Sequence, residues 1–291
     1  MAKKGKSTPC GWNPKGNPTI TPPWPLKPYF RPMNNHKEAQ TFWGFVPNAL
    51  TLGNLFCGCL GLVGAFNGGE AWALYCIAVA AVLDFADGAA ARLLRAPSNM
   101  GRELDSLADL VSFGLLPAAL LMVNARSLMP SYGMAPWPVD GNASWPMPTF
   151  PAHSEAWWLL CFAAIPLASA WRLARFNLMN TPTPHFIGLP TPAHAMLWMG
   201  FLGSLASWPV TWLLKLEAWH LALAALGTSA LLVSNLPMLS LKPSEVSKRF
   251  PYLRQVLLGL VAVAIGFWGF EGLFAIMLLY IPFSIFILRL L

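Results

Sequence analysis

Apolar residues along this chain fall in blocks separated by short polar breaks. Each block approaches the roughly 20 residues needed to cross a hydrocarbon layer about 30 Å thick. The blocks lie near 48–67, 71–93, 105–123, 157–175, 190–207, 219–238, 254–270 and 272–289, which predicts eight spans, the last two joined by a tight turn at Glu271-Gly272. Ahead of the first block, residues 38–46 (EAQTFWGFV) read as a short interfacial helix, with Phe42, Trp43 and Phe45 suited to the headgroup zone. Residues 1–37 break the pattern: eight prolines and seven Lys or Arg cannot pack a core, and the segment reads as a basic cytoplasmic tail. The longest break, about 124–156, carries six prolines and no period, and reads as an external loop.

Composition removes the soluble alternative. Of 291 residues, 56% are hydrophobic and only 11% charged, against about 25% charged in an ordinary soluble domain. The expected fold class is all-α: a polytopic transmembrane helical bundle of about eight spans. Five cysteines form neither a CxxC pair nor a disulfide-like framework, and no secretory signal peptide is visible ahead of the run that begins near Asn48. With the N-terminus inside, all of the 19 Lys and Arg except Arg126 and Lys215 fall on the cytoplasmic side. That positive-inside bias predicts an even number of spans with both termini in the cytoplasm; the expected setting is a bacterial-type inner membrane.

The chemistry concentrates between Leu83 and Gly114 (LDFADGAAARLLRAPSNMGRELDSLADLVSFG). At about 100° per residue, Asp87, Gly88, Ala91 and Arg92 all project within about 80° of Asp84 on one helix face. Gly101, Asp105 and Asp109 are spaced four apart on the next span, and Ser112 continues that stripe. A short connection lets the two faces turn toward each other. Ionisable groups in spans are rare and by default mark function, and four carboxylates together need a cation. An all-oxygen set without a His or Cys cluster suits one or two hard ions, Mg²⁺ or Mn²⁺. Such ions can clamp a diphosphate and polarise its phosphorus. Small Gly88, Ala91 and Gly101 would let a nucleotide approach the backbone, and Arg92 and Arg102 would neutralise phosphate oxygens. The bland alternative pairs these acids with Arg92, Arg95 and Arg102 at the membrane surface, but ion pairing does not require small residues on the same stripe.

The pattern DxxDGxxAR followed by GxxxDxxxD, from Asp84 to Asp109, is similar to the signature of the CDP-alcohol phosphatidyltransferases. The resemblance implies a six-helix membrane core, here 47–238, followed by a two-helix extension, 239–291. It implies two metal ions on Asp84, Asp87, Asp105 and Asp109, with Asp109 as the base that deprotonates the acceptor hydroxyl. Gly88, Ala91, Arg92 and Gly101 would line the pocket for the CMP moiety. PNALTLGNLFCG (from Pro47), DSLADLVSFGLLPA (from Asp105), RLARFN (from Arg172) and FIGLPTPA (from Phe186) resemble the phosphatidylserine synthase branch, although Ala90 stands where many members carry a basic residue. Implied partners are CDP-diacylglycerol, L-serine, membrane lipids and a second copy of the chain as a homodimer, with no nucleic acid.

Other residues join the candidate site on their own chemistry. Asn48 and Thr51, one turn apart, would bond a phosphate or a metal-bound water, or else cap and back-bond their helix. Arg172 and Arg175, at i and i+3 near the acidic site in depth, suit a serine carboxylate or phosphate, or else simply flank a span. Asn177 adds an amide there. A covalent intermediate is disfavoured, because Ser106 and Ser112 have no histidine placed nearby in sequence. His185 and His194 read as polar residues in or near a cytoplasmic loop. Competing readings are glycerol-3-phosphate or inositol as acceptor, an intramembrane prenyltransferase that also grips a diphosphate, and a cation transporter, whose site would more often lie near the midplane.

Overall fold

A computed structural model describes residues 45–95, 98–127, 160–178, 186–205, 216–238 and 253–290. All belong to one compact unit, Gln40–Leu291. Helix α1 (Phe45–Phe66) accommodates Pro47 in its first turn, where no backbone N–H partner is required. It ends at Gly68, whose φ of 77° turns the chain into α2 (Glu70–Leu93). After α2 the chain reaches Ser98, whose hydroxyl accepts from the Gly101 N–H at 2.9 Å and caps α3 (Asn99–Asp109). A six-residue π-helical turn, Leu110–Leu115, joins α3 to α4 (Leu116–Ser127), making one continuous rod.

Among the described residues, four further helices and a strand pair follow. Helix α5 is Ala164–Leu178, α6 is Thr191–Ser204, α7 is Ala218–Val233 and α8 is Leu253–Leu290. Strand β1 (Phe186–Ile187) pairs antiparallel with β2 (Pro237–Met238), Phe186 facing Met238. The α3–α4 rod is central, and its Phe113, Leu116, Leu120 and Leu121 meet Ile77 of α2 and Ile165 of α5 in one buried cluster.

The expected class holds in its coarse form: a helical bundle in which, among the described residues, four helices are long and apolar enough to cross a membrane, Phe45–Phe66, Glu70–Leu93, Asn99–Ala125 and Gly266–Ser284. Among the described residues α5, α6 and α7 cover 15, 14 and 16 residues, and parts of the predicted spans 157–175 and 190–207 lie outside them, so the count of eight is not reproduced there. The predicted span 219–238 stops at Val233, where Ser234 leaves the helix at ψ 155° and Pro237 enters β2. Of the predicted interfacial helix 38–46, residues 38–44 lie outside the described residues, and Phe45 and Val46 form the first turn of α1. Residues 124–127 of the expected loop continue α4, and the rest of it lies outside the described residues.

The last two blocks are separated at Gly269 (φ 55°, ψ −128°), not at Glu271-Gly272. In a straight helix Ala264 and Gly272 would stand about 12 Å apart, yet a Cβ on Gly272 would strike the Ala264 carbonyl oxygen. The chain therefore folds back as a helical hairpin, and only glycine readily adopts the required φ. His194, expected in or near a loop, is fully buried inside α6, bonded to Thr228 Oγ1 at 3.1 Å and accepting from Trp198 Nε1 at 3.1 Å. His185 lies outside the described residues.

Glycines set how closely α1 approaches the rod. A Cβ on Gly58 would collide with Ser112, whereas one on Gly53 would meet only Leu83 Cδ1 at 3.4 Å. Gly58→Val should therefore lower the thermal unfolding midpoint in detergent and cost about 1–3 kcal/mol, while Gly53→Ala leaves the midpoint nearly unchanged. Equal midpoints for both variants would disprove this account of the packing.

Candidate active site

Asp84 and Asp87 come from α2, and Asp105 and Asp109 from α3. Carboxylate oxygens of Asp84, Asp105 and Asp109 all lie within 4.8 Å of one another. Asp84 and Asp105 are close enough to hydrogen-bond each other. Carboxylates this close are held together only by a shared proton or a cation. The donors are all oxygen, which fits a hard divalent ion. The helical spacing read from the sequence thus does bring three acids to a point.

Asp87 is the exception. It is buried and turned to α1, where Thr51 Oγ1 donates to its Oδ2 at 2.6 Å. The same hydroxyl lies 3.0 Å from the Pro47 carbonyl, so its single proton chooses between a carboxylate and a helix back-bond. The charged acceptor makes the stronger bond.

Asn54, which sequence reasoning missed, sits one turn beyond Thr51 and is fully buried. Its Nδ2 reaches Asp109 Oδ1 at a long 3.5 Å, its carbonyl accepts from Ser112 Oγ at 3.0 Å, and its Oδ1 has no partner. A buried amide oxygen without a donor points at something that can donate to it, and metal-bound water is one such group. The signal was available: Asn48, Thr51 and Asn54 form a polar stripe at i, i+3, i+6 on an otherwise apolar helix.

The small residues have local reasons. A Cβ on Gly101 would come within 3.0 Å of Asn48 Oδ1 and 2.9 Å of Ser98 Oγ, so this glycine lets the start of α3 meet α1. A Cβ on Gly88 would lie 3.4 Å from Arg92 Nη1, so the Arg92 side chain runs back along α2 across Gly88. Ala91 is half-buried beside them. Arg92 and Arg102 are exposed, and Arg102 Nη2 donates to Asn99 Oδ1 at 2.8 Å.

On the far side, the structure separates the two α5 arginines. Arg172 Nη1 donates to the buried Thr191 Oγ1 at 2.8 Å, and its Nε is buried without a partner. It lies near enough to Asp109 for their charges to interact. Arg175 instead donates to Asn235 Oδ1 at 2.9 Å, beyond the end of α7. Asn177 Nδ2 donates to Ser106 Oγ at 3.0 Å and lies 3.3 Å from Glu103 Oε2, while its Oδ1 is buried and unpartnered. Sequence reasoning did not single out Glu103 or Thr191. No spacing rule links residues on separate elements, such as Thr191 and Arg172.

Residues 44–226 match the CDP-alcohol phosphatidyltransferase family. The chain belongs to that family. It is similar to the CDP-diacylglycerol–serine O-phosphatidyltransferase of Mycobacterium leprae (strain TN), 30% identical over 250 residues that cover 82% of this chain and 74% of the relative. The protein of the same name from Bacillus subtilis (strain 168) is 34% identical over 152 residues, 52% of this chain and 72% of the relative. That of Methanocaldococcus jannaschii is 30% identical over 184 residues, covering 63% and 70%.

If Thr51 orients Asp87, Thr51→Val should raise the Mn²⁺ concentration for half-maximal activity by about tenfold, the usual cost of losing a partner behind a ligand. An unchanged metal titration would remove Thr51 from the site.

Proposed function

We propose that this chain transfers the phosphatidyl group of CDP-diacylglycerol to L-serine, yielding phosphatidylserine and CMP. The observation that carries the reading is the convergence of Asp84, Asp105 and Asp109 within 4.8 Å, in a chain of this family. The choice of serine is supported by similar proteins from two bacterial genera and an archaeon that share the serine-transferase name.

In this reading Asp84, Asp87, Asp105 and Asp109 hold two divalent ions, Mg²⁺ or Mn²⁺. When bound, such ions supply charge for the diphosphate and polarise the phosphorus under attack. Asn48, Thr51, Gly88, Ala91, Arg92, Gly101 and Arg102 bind the CDP-lipid, with the small residues admitting the nucleotide and the arginines facing its phosphates. Arg172, Arg175 and Asn177 form the serine side, with Arg172 the best placed of the three. The serine hydroxyl gives its proton to Asp109 as its oxygen bonds the β-phosphorus, the one esterified to diacylglycerol. The bond from that phosphorus to the bridging oxygen breaks in line, and CMP departs with the electron pair. Ser112 is committed to the Asn54 carbonyl, which supports direct displacement over a covalent intermediate on that residue.

The same reading sets the architecture. Eight spans form a six-helix core, 47–238, and a two-helix extension, 239–291, behind the interfacial segment 38–46. The tail 1–37, both termini and the site face the cytoplasm in a bacterial-type inner membrane, and the chain works as a homodimer. The positive-inside bias supports the orientation.

The test is CMP release by purified protein in detergent, with CDP-diacylglycerol and Mn²⁺ or Mg²⁺, comparing L-serine, glycerol-3-phosphate and inositol. Serine-dependent release is expected, abolished by EDTA and lowered about 10²- to 10⁴-fold by Asp109→Asn, as for loss of a general base. Release only with another alcohol would discard serine and keep the chemistry. Ion flux in vesicles without any CMP release would overturn the enzyme reading.

A further inference from the structure

The C-terminal hairpin lies beyond the segment that matches the family, residues 44–226, yet its second arm packs along α6 toward Arg172. A Cβ on Gly203 would enter the Phe270 ring, and one on Gly200 would meet the Phe274 backbone at 2.7 Å. Further along, Tyr280 and Ile281 pack with Ala193 against buried Leu189, Leu232 and Ala168. The contacts run antiparallel, falling from Gly203 to Ala193 on α6 as they rise from Phe270 to Ile281 on α8. Their spacing of four and then about seven residues follows one helix face. That register brings Tyr280 to the first turns of α6, beside Thr191 and Arg172.

Tyr280 hydrogen-bonds Ser284, which is fully buried, and lies close enough to Arg172 for the two groups to interact electrostatically. A guanidinium offers five N–H donors. Thr191 takes one of them, while the buried Nε–H has no partner. Leaving such a donor empty is expensive, more so on a charged group. The free edge therefore calls for an anionic or strongly accepting ligand, and the guanidinium lies near enough to Asp109, the base assigned to the acceptor hydroxyl, for their charges to interact.

We propose that Thr191 and Tyr280 are positioning residues that hold Arg172 with its Nε edge toward the carboxylate of the acceptor, so that the C-terminal hairpin forms part of the acceptor site. This inference rests on serine being the acceptor. Serine's hydroxyl and carboxylate lie a few bonds apart, so a group beside Asp109 can bind the one while Asp109 meets the other. In this arrangement Tyr280, near the guanidinium, limits its swing, and Thr191 fixes its rotation.

Steady-state kinetics on the full-length protein, varying L-serine and CDP-diacylglycerol in turn, tests this. Thr191→Val and Tyr280→Phe should each raise KM for serine, by about tenfold and about threefold respectively. Thr191→Ser should restore it, while kcat and KM for CDP-diacylglycerol stay within about twofold. A merely structural role would lower kcat and the thermal midpoint together and move both KM values alike; that pattern, or an unchanged serine KM, overturns the proposal. Serine turnover by the unaltered chain separates the two levels. If it is absent, the serine reading fails and takes this inference with it. If it is present with variants indistinguishable from the parent, only the inference fails.

Discussion

Everything in this bundle is arranged around the repulsion among three carboxylates. Asp84, Asp105 and Asp109 approach within 4.8 Å on two helices whose surroundings are largely apolar. In a medium of low effective dielectric such charges oppose one another far more strongly than in water. Without a cation or proton among them, α2 and α3 would be driven apart at this point. On the α1 side the protein answers with neighbours that are polar but uncharged. Thr51 and Asn54 of α1 reach Asp87 and Asp109, and Ser112 ties the Asn54 backbone to the rod. None adds charge, and Thr51 and Asn54 each orient an acid.

The π turn is the second consequence. Directly after Asp109 the α-helical ladder widens over Leu110–Leu115, and within it Ser112 donates outside its own helix while Gly114 packs on Ser169 of α5. Such turns recur at functional sites because they redirect side chains without ending a helix. Here the widening lets α3 serve the acids while α4 continues as the apolar centre of the core. Gly58 completes the fit, since a side chain there would displace Ser112, and with it the Asn54 contact that faces Asp109.

Much of this was legible in the sequence, for reasons that also mark its limits. The acids could be placed because helical periodicity maps spacing to direction, and Asp84, Asp105 and Asp109 follow it. Periodicity predicted nothing wrong about Asp87's face either, but could not show that Thr51 of another helix would claim it. The same blindness hid Thr191 and Tyr280, which reach Arg172 from elements far away in sequence. Hydropathy located the helices but misjudged their ends, because an apolar stretch such as Leu236-Pro237-Met238 scores alike as helix or strand. Gly269 was passed over for Glu271-Gly272 because a charged residue resembles a break more than an apolar glycine does. His194 looked like a loop residue from its prolines and polar neighbours. Its burial depended on Thr228 and Trp198 offering bonds.

The early end of α7 at Val233 explains how the start of α6 is fixed. Irregular backbone at membrane depth persists only where it is buried in protein or lines a cavity. Before α6 and after α7 the chain leaves helix and pairs β1 with β2, and the Gly188 N–H donates to the Leu236 carbonyl at 2.9 Å. Gly188 adopts φ 76° and approaches so near that a Cβ would come within 2.6 Å of the Leu232 carbonyl. This small knot satisfies its own backbone groups and fixes the start of α6, which sets the height of Thr191. Thr191 in turn orients Arg172, and Arg172 stands beside Asp109. Had α7 stayed helical through Pro237, β1 would have lost its pairing partner and the start of α6 its anchor at that level. The break in helix around β1 and β2 thus sets Thr191, and through it the Arg172 guanidinium, within electrostatic reach of Asp109.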